Sequence, residues 1–400
     1  MRTGFLLTLF LAGCASTGAP ERASRHHPER PLFGVIRWDG YNGSPAWTQR
    51  QEFGFLKPEG FHWRAPWFVE RTGDPEAPLA FNPEFRQEIV QEITDREIEY
   101  AAEAGIDYWA FCHYLKSKGD GWQLRNNLQA YLDSPRKHRI GFALICIGDH
   151  VGAGVAEGKG AEITWRDWQA YVAEYLTLFA EPTYQRVLDD RPLFFVFNPE
   201  GLAANLGDEE HGVQELSRAV AYLRAEAQAA GFADPYVVGM NAGGIWAARY
   251  IDDAGLDAVS AYRPAWGTRD GGRPFADLAA EIQTQFLDFP DMAGAGHRRV
   301  IVPCMSGADQ RPRGPVGHYL EPEPGELRAH VLWALDYAYR HPERCESQSV
   351  LMYAWNEHSE GGFLCPLIAP EPGGRPDTRR LDEVADALRS WRPPNPSTGE

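Results

Sequence analysis

Ile106-Asp107-Tyr108-Trp109-Ala110-Phe111-Cys112-His113-Tyr114 is an almost unbroken apolar run, and the residues before it follow a different rule. Across 83–104 apolar side chains recur at helical spacing. Asn82-Pro83 offers an N-cap with proline in the first turn, and Gly105 stands just past the end. The stretch therefore reads as helix, tight turn and strand. A strand without polar alternation is covered on both faces, as in a parallel sheet wrapped in helices.

Working outward, seven further runs of the same kind lie at 33–38, 140–147, 192–198, 236–241, 258–262, 300–305 and 350–355. Between them helical patterns occupy about 123–132, 165–180, 209–230, 275–289 and 325–340, and another follows the last strand at 379–391. The segment 242–254 is short and begins with glycines, so its helix has the weakest pattern. Strands alternating with helices in this number predict an α/β protein, a single-domain (β/α)₈ TIM barrel with a long aromatic loop after the first strand. The alternative is a doubly wound open sheet. Against it, no Gly-x-Gly-x-x-Gly turn follows the first strand.

In such a barrel the strand C-termini and the loops after them form the active face. Those positions are polar in nearly every strand: Asp39 with Tyr41, His113 with Tyr114, Asp149 with His150, Asn198, Asn241, Tyr262 with Arg263, Ser306, and Asn356 with Glu357 and Glu360. Buried polar groups are costly unless paired, so this concentration points to a polar ligand. Taken singly, Asp39, Asp149 and Asn198 fit a loop or helix cap equally well, and His113 and His150 fit a supporting layer. Asp149-His150 hints at a metal, but no third ligand stands at a comparable spacing, and the expected site has neither metal nor cofactor. The loop 44–80 carries Trp47, Phe53, Phe55, Phe61, Trp63, Trp67 and Phe68. It can pack as a small core over the barrel rim, offer stacking platforms for sugars, or do both.

The last strand ends in Met352-Tyr353-Ala354-Trp355-Asn356-Glu357-His358-Ser359-Glu360-Gly361-Gly362. Two glutamates three residues apart would face opposite sides of a straight strand, so the chain must turn between them to bring both to one ligand, and Gly361-Gly362 ease that turn. Held close together, two carboxyl groups can divide proton removal and proton donation, because repulsion and unequal burial push their pKa values apart. The bland alternative is a solvated turn with both glutamates facing water.

The 400 residues carry 56 acidic against 39 basic side chains, a formal net charge of −17 that repels phosphate backbones, and no nucleic-acid partner is expected. A neutral oligosaccharide or polysaccharide is the simpler substrate. Arg2, the apolar run 5–12 and Leu11-Ala12-Gly13-Cys14 look like the leader and lipobox of a bacterial lipoprotein. The expected organisation is a signal peptide at 1–13, a tether at 14–31 from lipidated Cys14, a catalytic domain at 32–392 and a disordered tail at 393–400. The anchor would place the protein on a membrane of the bacterial cell envelope. Of the remaining cysteines, Cys112, Cys146 and Cys304 sit in strand runs, while Cys345 and Cys365 bracket the last strand, and no disulfide is expected.

With these residues placed, the chain resembles the glycoside hydrolase family 99 endo-α-mannosidases, and more closely the bacterial proteins with a family-99-like or WbsX-type domain. The likeness rests on Gly105-Ile106-Asp107-Tyr108-Trp109-Ala110-Phe111, on Phe142 through His150, on Tyr184 with Asp190-Arg191-Pro192-Leu193-Phe194, and above all on Trp355-Asn356-Glu357-His358-Ser359-Glu360-Gly361. The last matches a pattern written Trp-Asn-Glu-Trp-x-Glu-Gly, with His358 in place of the second tryptophan. The resemblance implies a barrel that cleaves α-linked mannose-type glycans without a metal and with retention of configuration. It implies that Glu357 takes the proton of the sugar 2-hydroxyl, so that this oxygen forms a 1,2-anhydro sugar. Glu360 then protonates the leaving oxygen and later activates water. Glu357 would start ionised and Glu360 protonated. Two other readings stay open: a non-catalytic surface glycan-binding protein on the same barrel, and a WbsX-type glycosyltransferase. The latter sits poorly with an exported chain that lacks a nucleotide-phosphate signature.

Overall fold

The computed structural model describes residues 30–38, 40–41, 52–82, 90–114, 126–148, 163–207, 211–241, 253–265, 271–292, 299–314 and 317–394. Eight parallel strand positions alternate with helices. The strands are β1 Leu32–Arg37, β2 Tyr108–Tyr114, β3 Gly141–Ile147, β4 Arg191–Phe197, β5 Tyr236–Asn241, β6 Ala258–Ala261, a two-piece β7 at Arg299–Val300 and Val302–Met305, and β8 Ser349–Tyr353. Each pairs in parallel with its neighbour in chain order, and β1 also pairs with β8, with Gly34 opposite both Tyr108 and Leu351. The break in β7 closes the ring. Its first piece pairs with β6, Ile301 N–H donates to Val259 at 3.0 Å, and its second piece pairs with β8. The barrel expected from the sequence is therefore the barrel observed, strand for strand.

Helices α1 Val90–Ala104, α2 Asn126–Asp133, α3 Trp165–Phe179, α4 Pro199–Leu206, α5 Gly212–Ala229, α6 Phe275–Met292, α7 Glu326–Arg340 and α8 Arg379–Ser390 lie between or after the strands. Local chemistry sets their ends. Gly105 leaves α1 in the left-handed region at φ +86°, where a Cβ would be strained, and Ile106 N–H returns to the Ala101 carbonyl. Thr164 and Asp167 form a reciprocal capping box at the start of α3. The pattern read as one helix across 209–230 is preceded by the separate α4, whose Asn198-Pro199 start repeats the signal seen at Asn82-Pro83. Residues 83–89 and 242–252, part of two expected helices, lie outside the described residues, as do the expected leader and most of the expected tether and tail. Among the described residues no helix is long and apolar enough to cross a membrane.

The core fills the barrel and the layer under its helices. Strand β1 is buried along its whole length, including Arg37, whose guanidinium lies 4.2 Å from the Trp109 ring centre and pairs with the buried Glu97 of α1. Glu97 also accepts hydrogen bonds from Trp355 Nε1 and the Cys365 thiol, tying the outer end of β8 to the helix layer. Cys112, Cys146, Cys304, Cys345 and Cys365 are all buried free thiols. The aromatic segment after β1 folds as a short helix Glu52–Leu56, a 3₁₀ turn Glu59–Arg64 and a hairpin of Val69–Arg71 with Leu79–Phe81. Phe53 and Phe68 each pack on Tyr41 and on Phe81. The small-core reading of that loop thus holds for these residues, while Trp47 lies outside the described residues.

Candidate active site

After β8 the chain runs through a cis Tyr353–Ala354 peptide and the buried Trp355 into a tight hairpin, in which Asn356–Glu357 pairs with Gly362–Phe363 across a 3₁₀ turn at His358–Glu360. Gly361 makes the turn possible. It sits at φ +82°, and a Cβ there would lie 2.5 Å from the Asp309 nitrogen. Opposite it, Asp309 N–H donates to the Glu360 carbonyl at 2.7 Å, so the loop after β7 and the hairpin are joined backbone to backbone. Arg380 braces the other side, donating to the Gly361 carbonyl at 2.9 Å with its guanidinium 3.7 Å from the Phe363 ring centre.

This turn brings Glu357 and Glu360 to the same guanidinium. Arg313, two residues beyond Arg311 in the loop after β7, donates to Glu360 Oε1 at 2.6 Å and stands 3.9 Å from Glu357 Oε2. The second oxygen of Glu360 accepts from Arg263 at 3.0 Å and from the Tyr353 hydroxyl at 2.6 Å. Glu357 Oε1 accepts from the Tyr262 hydroxyl at 2.6 Å. A third carboxylate belongs to the group. Glu52, fully buried, lies 3.7 Å from Arg313 and accepts a 3.4 Å bond from Ser359 Oγ.

The surroundings separate the three acids. Burial, reinforced by the charge of Glu360, pushes Glu357 up to about 8 against the opposing pull of Arg313 and the Tyr262 hydrogen bond. Burial likewise pushes Glu52 up to about 7, with Arg313 and Ser359 opposing. Burial acts on Glu360 in the same direction. There it is outweighed by Arg313, then Arg263 and hydrogen bonds from Tyr353 and Gln310, which hold the carboxyl below the ordinary glutamate range. In the unliganded chain the surroundings thus favour the proton on Glu357 over Glu360, and the reason is geometric: both arginines bond to Glu360, while Glu357 has one hydroxyl and a more distant guanidinium.

The other expected contacts divide into two groups. Tyr262 is at the site, and Tyr114 lies beside it, its hydroxyl accepting from Trp38 Nε1 at 2.7 Å. Tyr41 is buried with its ring edge-on to His358 at 5.3 Å and within electrostatic reach of Glu52. The remaining placements correct the idea that every polar strand end faces a ligand. The Asn356 amide is taken up by the backbone of Trp38, accepting from N–H at 2.9 Å and donating to the carbonyl at 2.5 Å, which locks β8 to β1. Trp355 packs inside on Trp109 with ring centres 5.2 Å apart. His113 turns outward onto α3, with Nε2 3.6 Å from Glu174 and its ring on Tyr175. Asn198 caps α4 through its side-chain oxygen. Asp39, Asp149, His150 and the Asn241 side chain lie outside the described residues.

Sequence reasoning passed over Glu52, Arg313 and the hydroxyl of Tyr353, and it set Arg263 at a strand end without a role. Arg313 and Glu52 come from loops with no motif of their own. A cavity of about 520 Å³ behind the hairpin is lined by Trp63, Glu321, Phe363 and Arg380, and neither Glu357 nor Glu360 lines it. Among the described residues no group of three or more His, Cys, Asp or Glu side chains could hold a metal ion.

The pattern that defines the glycosyltransferase WbsX family matches residues 65–370, well over half of the chain and inclusive of the hairpin. The chain belongs to the glycosyltransferase WbsX family. Among solved structures, this WbsX-family barrel is similar to a glycoside hydrolase-like protein, with 13% identity and a TM-score of 0.57 over 90% of this chain and 94% of that one. It is also similar to the GH99 endo-alpha-mannosidase from Bacteroides thetaiotaomicron, with 14% identity and a TM-score of 0.51 over 89% of this chain and 96% of that one. At such identities the likeness is one of fold: the WbsX-family chain has a glycoside hydrolase-like barrel. No curated protein matches it in sequence.

Proposed function

We propose that this barrel is a glycoside hydrolase acting within α-linked mannose-type or related glycans, with Glu357 and Glu360 as its acid and base pair. The observation that carries the reading is the hairpin that sets both carboxyl groups on Arg313 while burial and unequal cation contact drive their protonation apart, the arrangement acid and base work requires. Arg263 and Arg313 both bond to Glu360, so neither cation is free of a carboxylate contact in the unliganded site.

The reaction follows the resemblance. Glu357 takes the 2-hydroxyl proton, the 2-oxygen bonds to the anomeric carbon, and the departing glycosidic oxygen receives a proton from Glu360. Water then loses a proton to Glu360 and opens the three-membered ring, and the 2-oxygen recovers its proton from Glu357, giving net retention. Substrate can set the required charges itself. A 2-hydroxyl donating to Glu357 favours its ionised form, while a glycosidic oxygen accepting from Glu360 favours its protonated form. The resting proton thus passes from one member of the pair to the other as the sugar binds. The apolar run 5–12 and Leu11-Ala12-Gly13-Cys14 support a place for this activity at the bacterial cell envelope, held by lipid on Cys14. Cys14→Ala should release the protein from membranes, and unchanged membrane association would refute the anchor.

The family's name supplies a second reading, sugar transfer from a nucleotide donor. A screen of α-linked oligosaccharides and polysaccharides with product analysis separates the possibilities. Released fragments with water as acceptor support hydrolysis. Binding without products would indicate a glycan-binding protein, and a melting temperature raised only by a nucleotide sugar would indicate transfer.

A further inference from the structure

We infer that Glu52, Glu357 and Glu360 form one ionic unit with Arg313 at its hub, and that Arg313 is the positioning residue that holds Glu360 ionised and links its charge to the other two acids. The catalytic consequence rests on the function proposed above; the unit itself rests on geometry. One guanidinium lies 2.6 Å from Glu360, 3.7 Å from Glu52 and 3.9 Å from Glu357. Its Nε donates to Ser359 Oγ at 3.0 Å, and that hydroxyl donates onward to Glu52, so a serine inside the catalytic hairpin links the hub to the third acid.

The hub is fixed in place. Arg313 ends a 3₁₀ turn that begins at Arg311, and Asp309 anchors this turn by binding Arg311 and the buried Arg64 while its own N–H holds Glu360. The guanidinium stands 5.0 Å from the Phe55 ring centre, on the helix that carries Glu52. Three elements therefore meet at one cation: the loop after β7, the hairpin after β8 and the helix after β1. Among the described residues, the charged or titratable groups that face them besides Arg313 include Arg263 and Tyr353 at Glu360, Tyr262 at Glu357 and Tyr41 at Glu52. Glu52 Oε2 is buried with no hydrogen-bond partner among the described residues, which leaves Arg313 as the cation that can hold its charge. Burial keeps Glu52 near neutrality, where its ionisation changes the field on Glu357.

The coupling is reciprocal, so two variants test it from opposite ends. Carbon-13 carboxyl resonances of Glu52, Glu357 and Glu360, assigned by single Glu→Gln changes, are titrated by NMR in the unliganded full chain. In Arg313→Gln all three should titrate higher, Glu360 by ~1 pH unit or more, a tenfold change in its acid constant. Arg313→Lys should restore part of that shift. In Glu52→Gln, which leaves Arg313 in place, Glu357 should titrate lower. Unchanged titration of Glu360 in Arg313→Gln, or of Glu357 in Glu52→Gln, would overturn the inference. If Arg313→Gln fails to fold, the Glu52→Gln titration alone decides. No substrate is needed, so these outcomes are independent of whether any glycan is cleaved.

Discussion

Replacing Glu357 by glutamine should make the protein more stable at neutral and alkaline pH while removing its activity. Burial and the Glu360 charge raise the Glu357 carboxyl from 4.5 to about 8, so the folded state keeps a proton that the unfolded chain gives up. A raised acid contributes stability that is fully present below its unfolded pKa and is lost as pH climbs toward the folded value. The window is therefore about 4.5 to 8. At ~1.4 kcal/mol per pH unit the full displacement corresponds to ~5 kcal/mol, of which ~3 kcal/mol has gone by pH 7. Glutamine imitates the protonated acid, can still accept the Tyr262 hydrogen bond and has no proton to lose. The melting temperatures of the two proteins should then nearly coincide at pH 4.5 and diverge by ~5 °C at pH 7 in favour of Glu357→Gln. Glu360, held below the ordinary range, loses its contribution only as pH falls and does not disturb the comparison. Calorimetry from pH 4.5 to 8.5 provides the check, and a constant difference across that range would refute a protonated Glu357.

Tyr262→Phe removes the hydroxyl that favours ionised Glu357, so the Glu357 carboxyl resonance should titrate at higher pH by ~1 unit, the worth of one charge-assisted hydrogen bond; an unchanged titration would contradict that role. Glu97→Ala leaves Arg37 buried and unpaired beneath the site and should cost ~3–5 kcal/mol in denaturant unfolding, whereas the double change Arg37→Met with Glu97→Leu should recover most of it. Gly361→Ala forces a left-handed residue against the Asp309 backbone and should lower both stability and turnover, measured by melting temperature and initial rate.

The barrel was legible because its strands are short apolar runs set apart by helices with capping signals, and parallel strands buried on both faces leave that trace in any sequence. The carboxylate pair was legible for a local reason: both acids lie on one hairpin, and Gly361 advertises its turn. What surrounds the pair was not. Arg313 and Glu52 reach Glu360 and Glu357 from loops far away in the chain, and nothing in Arg311-Pro312-Arg313 distinguishes a cation that meets the carboxylate pair from a surface one. Polarity at strand ends was a coarse guide, because such residues also close the barrel's own hydrogen bonds. Asn356 clamps Trp38, Asn198 caps a helix, and His113 faces the helix layer. The opposite pKa shifts of the two glutamates were hidden for the same reason, since they depend on which glutamate the arginines touch.

The most direct test of the account is turnover of an α-linked manno-oligosaccharide, followed with its products, for the native chain, Glu357→Gln and Glu360→Gln. The account predicts fragment release by the native chain and a loss of ~10²–10⁴-fold in each variant with glycan binding retained. Full activity in both variants would contradict it.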